Sequence, residues 1–225
     1  MISYATLAEA LPANRPANRT ATVYETLLDG IINGGLPGGM IVEERALVEV
    51  LNVSRTPLRE ALGRLQGEGF LIRQGRKLVV HQVTERDLIE ILHLRRILEC
   101  EAVALATRKL SQKAINDIRS AFVALKMPGK QQPDRHWAAD ELLHVTIADA
   151  SGNSRLREMI LDLRRKTKPI SMRLMLERTY PLIDLDEHMA IVDALDRRDP
   201  EAARAAMAAH IDSARENIIR KLGQI

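Results

Sequence analysis

Three histidines and one aspartate in the C-terminal part of this 225-residue chain have the types and spacing to hold a metal ion. Asp140 and His144 lie four residues apart on a predicted helix over 133–150, so both project from one face. His144 shares that face with Trp137, Ile147 and Ala148. On a predicted helix over 182–197, His188 falls in line with Ile191, Val192 and Leu195. On another over 199–222, His210 borders Met207, Ile211, Ala214 and Ile218. Four polar groups thus point from three helices towards one interior. Buried without partners they would cost several kcal/mol, and a divalent cation removes that cost. The donor set suits zinc first, with nickel, manganese or iron as alternatives. Four protein ligands on an octahedral ion leave room for a bidentate carboxylate from a small molecule. A single core-facing histidine is usually an ordinary core residue, so the convergence carries the reading. His136, another turn before Asp140, could compete as a ligand, but its flank position points it to solvent; His81 and His93 are not expected to be ligands.

Arg95 interrupts the apolar stripe Leu88, Ile91, Leu92, Leu98, Ala102 and Leu105 of a predicted helix over 85–109, with Glu99 one turn on. Two readings stand: an internal Arg95–Glu99 ion pair, or a cationic anchor for an anionic ligand beside the metal.

A second constellation lies nearer the N-terminus. The tight turn Leu51-Asn52-Val53-Ser54 joins two short predicted helices, and Ser54 caps the second. Arg55 and Arg59 share one face of that helix, opposite Leu58, Leu62 and Leu65. Such a helix fits a DNA major groove, where Arg55 can read a guanine edge and Thr56 and Arg59 can reach bases or phosphates. Between Val53 and Gln82 six basic residues face two acids, a local charge of +4 against +3 for the whole chain. Two apolar runs, Phe70–Arg73 and Leu78–His81, flank a polar tip and predict a hairpin. Gly75 at the tip lets backbone approach a minor groove.

The elements that must position these groups are helices. Aromatic residues are 3% of the chain, charged residues 28% and apolar residues 46%, a balance that excludes disorder and permits a core. No apolar run reaches the ~18 residues of a membrane span, and no secretory signal is expected. The lone Cys100 excludes an internal disulfide and fits a reducing cytoplasm. The expected architecture is mainly α: a flexible leader over 1–19, a winged helix-turn-helix over 20–82, and an all-helical bundle over 85–225. Its first helix is expected to open on a Thr22–Glu25 capping box, Thr84 to cap the bundle's first helix, and Pro169 to kink or split the fourth.

The segments Leu36-Pro-Gly-Gly, Glu44-Arg-Ala-Leu, Val53-Ser-Arg-Thr-Pro-Leu-Arg-Glu-Ala-Leu and Leu65-Gln-Gly-Glu-Gly-Phe closely resemble the GntR family of bacterial regulators. The resemblance places Arg45, Arg55, Thr56, Arg59 and Gly75, together with the cap Ser54, at DNA-contacting positions. Asn52 stands where the family usually has glycine. The segments Leu94-Arg-Arg-Ile-Leu-Glu, Asp140-Glu-Leu-Leu-His and Ser151-Gly-Asn, with His188 and His210, resemble the FCD domain of the FadR subfamily. That resemblance implies a bound metal on Asp140, His144, His188 and His210, a small carboxylic acid effector beside Arg95, and a homodimer on a palindromic DNA operator. The expected function is a metabolite-responsive transcription factor, in the repressor sense. Two rivals are a constitutive regulator with a purely structural metal and a metallohydrolase. The latter needs a general base, for which Glu141 is rotated away, and leaves the winged third unexplained.

Overall fold

A computed structural model describes residues 19–125, 133–176 and 185–222. The chain divides between Val83 and Thr84 into two compact units. The expected leader falls outside the described residues, apart from Arg19.

In the first unit, α1 (Arg19–Ile32), α2 (Glu44–Leu51) and α3 (Arg55–Gly67) precede a hairpin of β1 (Leu71–Gln74) and β2 (Lys77–Val80). Val23, Leu27, Leu47, Leu58, Leu65 and Leu71 fill one continuous core. Their spacing along each helix is the 3.6-residue period that puts one stripe inward. The expected Thr22–Glu25 box does not start α1, because the helix begins at Arg19 and Thr22 lies within it. There the Thr22 carbonyl accepts a bond from the Thr26 hydroxyl. Asn52 ends α2 in the left-handed region (φ 48, ψ 51), which a short polar side chain tolerates. Ser54 sits at the N-cap of α3 with extended backbone, but its hydroxyl makes no capping bond.

The strands pair from Leu71↔Val80 to Gln74↔Lys77, leaving a two-residue turn of Gly75 and Arg76. Gly75 has φ 62, which glycine adopts without strain. The hairpin carries a feature that periodicity did not flag. Met40 and Val42 exchange backbone bonds with Val80 and Leu78, so the segment after the Gly38-Gly39 loop runs along β2.

The second unit contains α4 (Glu85–Ala106), α5 (Gln112–Leu125), α6 (Pro133–Ala150), α7 (Ser154–Leu176), α8 (Leu185–Asp196) and α9 (Pro200–Leu222). Helix α4 packs on α6, α7 and α9, while α5 packs on α6 and α8. Start signals are explicit. The Asn153 side chain accepts from the Leu156 N–H, and the Asp199 side chain from those of Glu201 and Ala202. Helix α4 stops at Ala106, three residues before the expected end. Arg198 accounts for this: its Nη1 donates to the carbonyls of Thr107 at 3.0 Å and Leu110 at 2.5 Å, holding the turn. Pro169 does not split α7, which runs unbroken to Leu176. Proline removes one ladder bond, and tertiary packing of buried Arg164, Thr167 and Ile170 holds the helix on both sides.

Thr84 and Asp87 form a full capping box at the start of α4. The Thr84 hydroxyl accepts from the Asp87 N–H, and the Asp87 carboxylate accepts from the Thr84 N–H at 2.9 Å. Thr84→Ala leaves the Asp87 N–H without its acceptor and is expected to cost about 1 kcal/mol. Urea unfolding followed by circular dichroism reads that loss. An unchanged midpoint would mean the cap contributes nothing.

Candidate metal centre and nucleic-acid interface

The four predicted ligands meet. One donor atom from each of Asp140, His144, His188 and His210 lies within 4.8 Å of all the others. The three histidine Nε2 atoms converge on a single oxygen, Asp140 Oδ1, at 3.4 Å (His144), 3.2 Å (His188) and 4.0 Å (His210). Donors bound at about 2.1 Å to one ion stand roughly 3.0–3.5 Å apart, so the spacing is that of a ligand set with slight closure to make. Helix α6 brings Asp140 and His144, α8 brings His188, and α9 brings His210. Phe122 of α5 walls the site, its ring 4.6 Å from that of His188, and the rings of His188 and His210 meet edge-on at 4.3 Å.

Carboxylates behind the histidines set their tautomers. His144 Nδ1 faces Glu99 Oε2 in a short buried contact, and Glu99 Oε1 accepts from Arg95 Nε at 2.6 Å. His210 Nδ1 faces Glu187 Oε2 at 3.3 Å. A carboxylate on Nδ1 makes that nitrogen the donor and turns the Nε2 lone pair inward. His144 Nε2 has no hydrogen-bond partner, and it faces Asp140 Oδ1, another lone-pair atom. Two buried acceptors aimed at each other call for a cation between them.

The shifts at Glu99, Asp140 and His210 agree with that demand, while the one at His144 runs the other way. Burial opposes the Glu99 carboxylate, but Arg95, His144 and Arg164 together outweigh it, and the group is held far below the usual range. Asp140 is likewise buried and held well below it, by Arg164 and then His144. His144 loses basicity to burial but gains more from Glu99 and Asp140 together, a net upward shift. Burial, reinforced by the neighbouring His188, pushes His210 down to about 4, so it is neutral near pH 7.

The first unit places its candidate contacts on the surface. Ser54, Arg55, Thr56 and Arg59 are exposed on the first turns of α3, with Leu58 fully buried behind them. Arg59 Nε donates to Glu44 at 2.9 Å, across the α2–α3 turn. The Arg45 side chain is 92% exposed, its Nε 3.4 Å from Glu49 Oε1, and Gly75 stands at the hairpin tip with open space where a Cβ would sit. Arg73, Arg76 and Lys77 are exposed beside it. Arg64 is different: it lies 3.7 Å over the Tyr24 ring and bonds Glu68 at 2.8 Å. Burial and the Glu68 carboxylate, to which Tyr24 donates, push that phenol up to about 12.

Comparison with known proteins places this arrangement. Residues 19–79 match the "Bacterial regulatory proteins, gntR family" domain, and residues 90–213 match the "FCD domain". The chain belongs to the GntR family, in its FCD-containing branch. It is a DNA-binding transcriptional regulator, and the family's members are regulators, not enzymes. The "Nta operon transcriptional regulator" of Aminobacter aminovorans is 30% identical, over 80% of this chain and 85% of that protein. The "Probable D-xylose utilization operon transcriptional repressor" of Paenarthrobacter nicotinovorans is 33% identical, over 77% of this chain and 76% of that one. The solved structure of E. coli McbR/YncC shares the fold at TM-score 0.72 and 24% identity, covering 92% of this chain and 100% of that one.

In this GntR-family regulator several expectations need correcting. His136 is buried, not on a solvent-facing flank, because α5 and α7 both pack on α6 and its face turns inward. Leu105 is 37% exposed, outside the core stripe of α4. Glu141 is turned from the four ligands yet belongs to their network, through Arg164. Arg164 itself was missed. It is 1% exposed and donates from Nη2 to Asp140 Oδ2 at 2.6 Å and to Glu141 Oε2 at 2.7 Å. Its signal was available: Arg164 interrupts the stripe Leu156, Ile160, Thr167 and Ile170 of α7 as Arg95 interrupts that of α4. Of the two readings of Arg95, the internal ion pair with Glu99 is present in the structure.

The bonded network also has a charge deficit. Glu99, Asp140, Glu141 and Glu187 supply four negative charges, and Arg95 and Arg164 supply two positive ones. With the imidazoles neutral, as metal ligands must be, a divalent cation balances the difference. The residues present therefore fit a bound metal.

Proposed function

We propose that this regulator binds one divalent metal, zinc first, through Asp140, His144, His188 and His210, and that a small carboxylic acid binding there changes its hold on DNA. The observation that carries this reading is the convergence of three Nε2 atoms on Asp140 Oδ1, with Glu99 and Glu187 behind two of the rings. Bound there, the ion would supply Lewis acidity and open positions for carboxylate oxygens. The protein's part is to present neutral imidazoles, keep Asp140 ionised and bury the site. Arg95 would add positive charge beside the acid. Coupling to DNA needs only that the acid prefer one of two arrangements of the regulator.

On the DNA side, Arg55 and Thr56 would read base edges in the major groove. Arg45, Ser54, Arg59 and Gly75 would fix the unit on the backbone. The outcome is repression of an operon in the cytoplasm. Pairing into a homodimer on a palindromic operator is supported by Leu94 and Ile97, about half exposed on α4, with Leu105 on the same face.

Elemental analysis of the purified full chain tests the metal, with one ion per chain expected. Mobility-shift assays on the promoter of its own gene test the DNA. Arg55→Ala is expected to weaken operator binding by about 1–3 kcal/mol while sparing non-specific binding more. Equal losses on operator and random duplex would show Arg55 to be a phosphate contact only.

A further inference from the structure

The loop after α1 and the chain leaving the hairpin pass each other at a distance that only a bare backbone allows. A Cβ on Gly38 would stand 2.9 Å from Gln82 Cα, 3.0 Å from its Cβ and 3.1 Å from its Cγ. A Cβ on Gly39 would meet Gln82 Oε1 at 3.5 Å. Gly38 does not have a positive φ, so close approach, and not backbone freedom, accounts for the missing side chain. Gln82 therefore lies against the Gly38–Gly39 loop, although the residue is exposed overall.

Both partners of this contact lead to β2. On the loop side, the Gly39 N–H donates to Val80 O at 2.9 Å, the Val80 N–H to Met40 O at 2.9 Å and the Val42 N–H to Leu78 O at 2.8 Å. On the other side, His81, next to Gln82, donates its N–H to Phe70 O at 2.9 Å, and its Nδ1 lies 3.1 Å from Gly69 O. The base of the hairpin is held by residues that adjoin the seat. Its tip is not held: Arg76 and Lys77 are exposed, and nothing lies within 4 Å of where a Gly75 Cβ would sit. The direction of the tip is set at the base.

We propose that Gln82, seated on Gly38, is a positioning residue for DNA binding: the seat aims the hairpin so that Arg76 and Lys77 meet backbone phosphates. This rests on the reading of the hairpin as a DNA-contacting wing, and adds to it a residue that touches no DNA. A charge-assisted bond to a phosphate oxygen spans about 2.7–2.9 Å and weakens steeply when misplaced. A methyl group on Gly38 has to move either the Gln82 backbone or the loop, and both are tied to Val80, the last residue of β2. The tip then swings with the base, and the salt-dependent part of the grip weakens.

The test uses the full chain, with folding checked by circular dichroism and melting temperature. Affinity is measured over a salt series by fluorescence anisotropy, on a duplex that wild type retards in a mobility-shift assay. Arg76→Ala with Lys77→Ala is expected to lower the slope of log affinity against log salt by about 2, one unit for each lost phosphate contact. Gly38→Ala is expected to weaken binding about tenfold and to lower the slope by about 1–2, with the fold retained. In the Gly38→Ala background the two tip substitutions are expected to cost much less than in wild type, because the contacts they remove are already lost. Adding Gln82→Gly to Gly38→Ala clears the contacts with Gln82 Cβ and Cγ, and is expected to restore most of the lost binding. A folded Gly38→Ala protein with wild-type affinity and slope overturns the proposal. So does a cost of the tip substitutions that is equal in both backgrounds. If Gly38→Ala fails to fold, Gln82→Gly alone takes its place in the same cycle, with the same deciding outcomes. Tip substitutions without effect in wild type overturn the wing reading itself, and the proposal with it.

Discussion

Glu99→Leu is expected to destabilise the C-terminal unit by about 3–5 kcal/mol, the range for removing one partner of a buried ion pair. Glu99 is 1% exposed and accepts from Arg95 while facing His144 Nδ1. Leucine fills much of the volume, so the loss is not a cavity effect. It comes from stranding the Arg95 guanidinium at 8% exposure and freeing the His144 ring to change tautomer. The second consequence separates this from an ordinary core lesion: zinc affinity should fall about 10–100-fold, as for other carboxylates behind a metal-bound histidine. Guanidinium unfolding and competition with a zinc chelator read the two effects. A variant that loses stability but keeps zinc affinity would show that Glu99 only neutralises Arg95. Glu99→Gln should recover part of both, because its amide oxygen can still accept from His144.

Alanine at His188 is expected to abolish stoichiometric zinc and with it the stabilisation that zinc gives the wild type. At a free zinc concentration one hundred times the dissociation constant, that stabilisation is about 2.7 kcal/mol. His188 is fully buried, so a truncation cost from its contacts with Phe122 and His210 adds to the loss. Calorimetry with and without a chelator separates the two. Wild type should lose melting temperature when chelated, and the variant should melt at one temperature in both conditions. Operator binding by the variant should persist in a mobility-shift assay while its response to carboxylic acids disappears. Full zinc in the variant would remove His188 from the ligand set.

Much of this was legible in the residues, for identifiable reasons. Helix periodicity marked every described helix, because buried stripes in a bundle repeat at 3.6 residues. The four convergent groups were legible as polar residues on apolar stripes. What sits behind them was not. Glu187 lies beside His188 in sequence and looks like an ordinary first-turn acid of α8, yet it faces His210 on α9. Arg164 carried the same stripe-breaking signal as Arg95, without an acid one turn on to draw attention to it. His136 was misplaced because its exposure depends on how α5 and α7 close over α6, which local spacing does not encode. The early start of α1 and the Met40–Val42 segment along β2 likewise depend on partners distant in sequence.

Helix α4 turns two unlike sides outward and inward within six residues. Leu94 and Ile97 are about half exposed, while Arg95 and Glu99 are buried and paired, with Glu99 against His144. A rigid rod with chemistry on one flank and adhesive side chains on the other cannot be nudged on one flank alone. If two copies grip each other through the outer flank, occupancy of the inner one and strength of the grip become a single thermodynamic quantity. Diluting such a protein would then loosen its ion, and stripping the ion would loosen the pair.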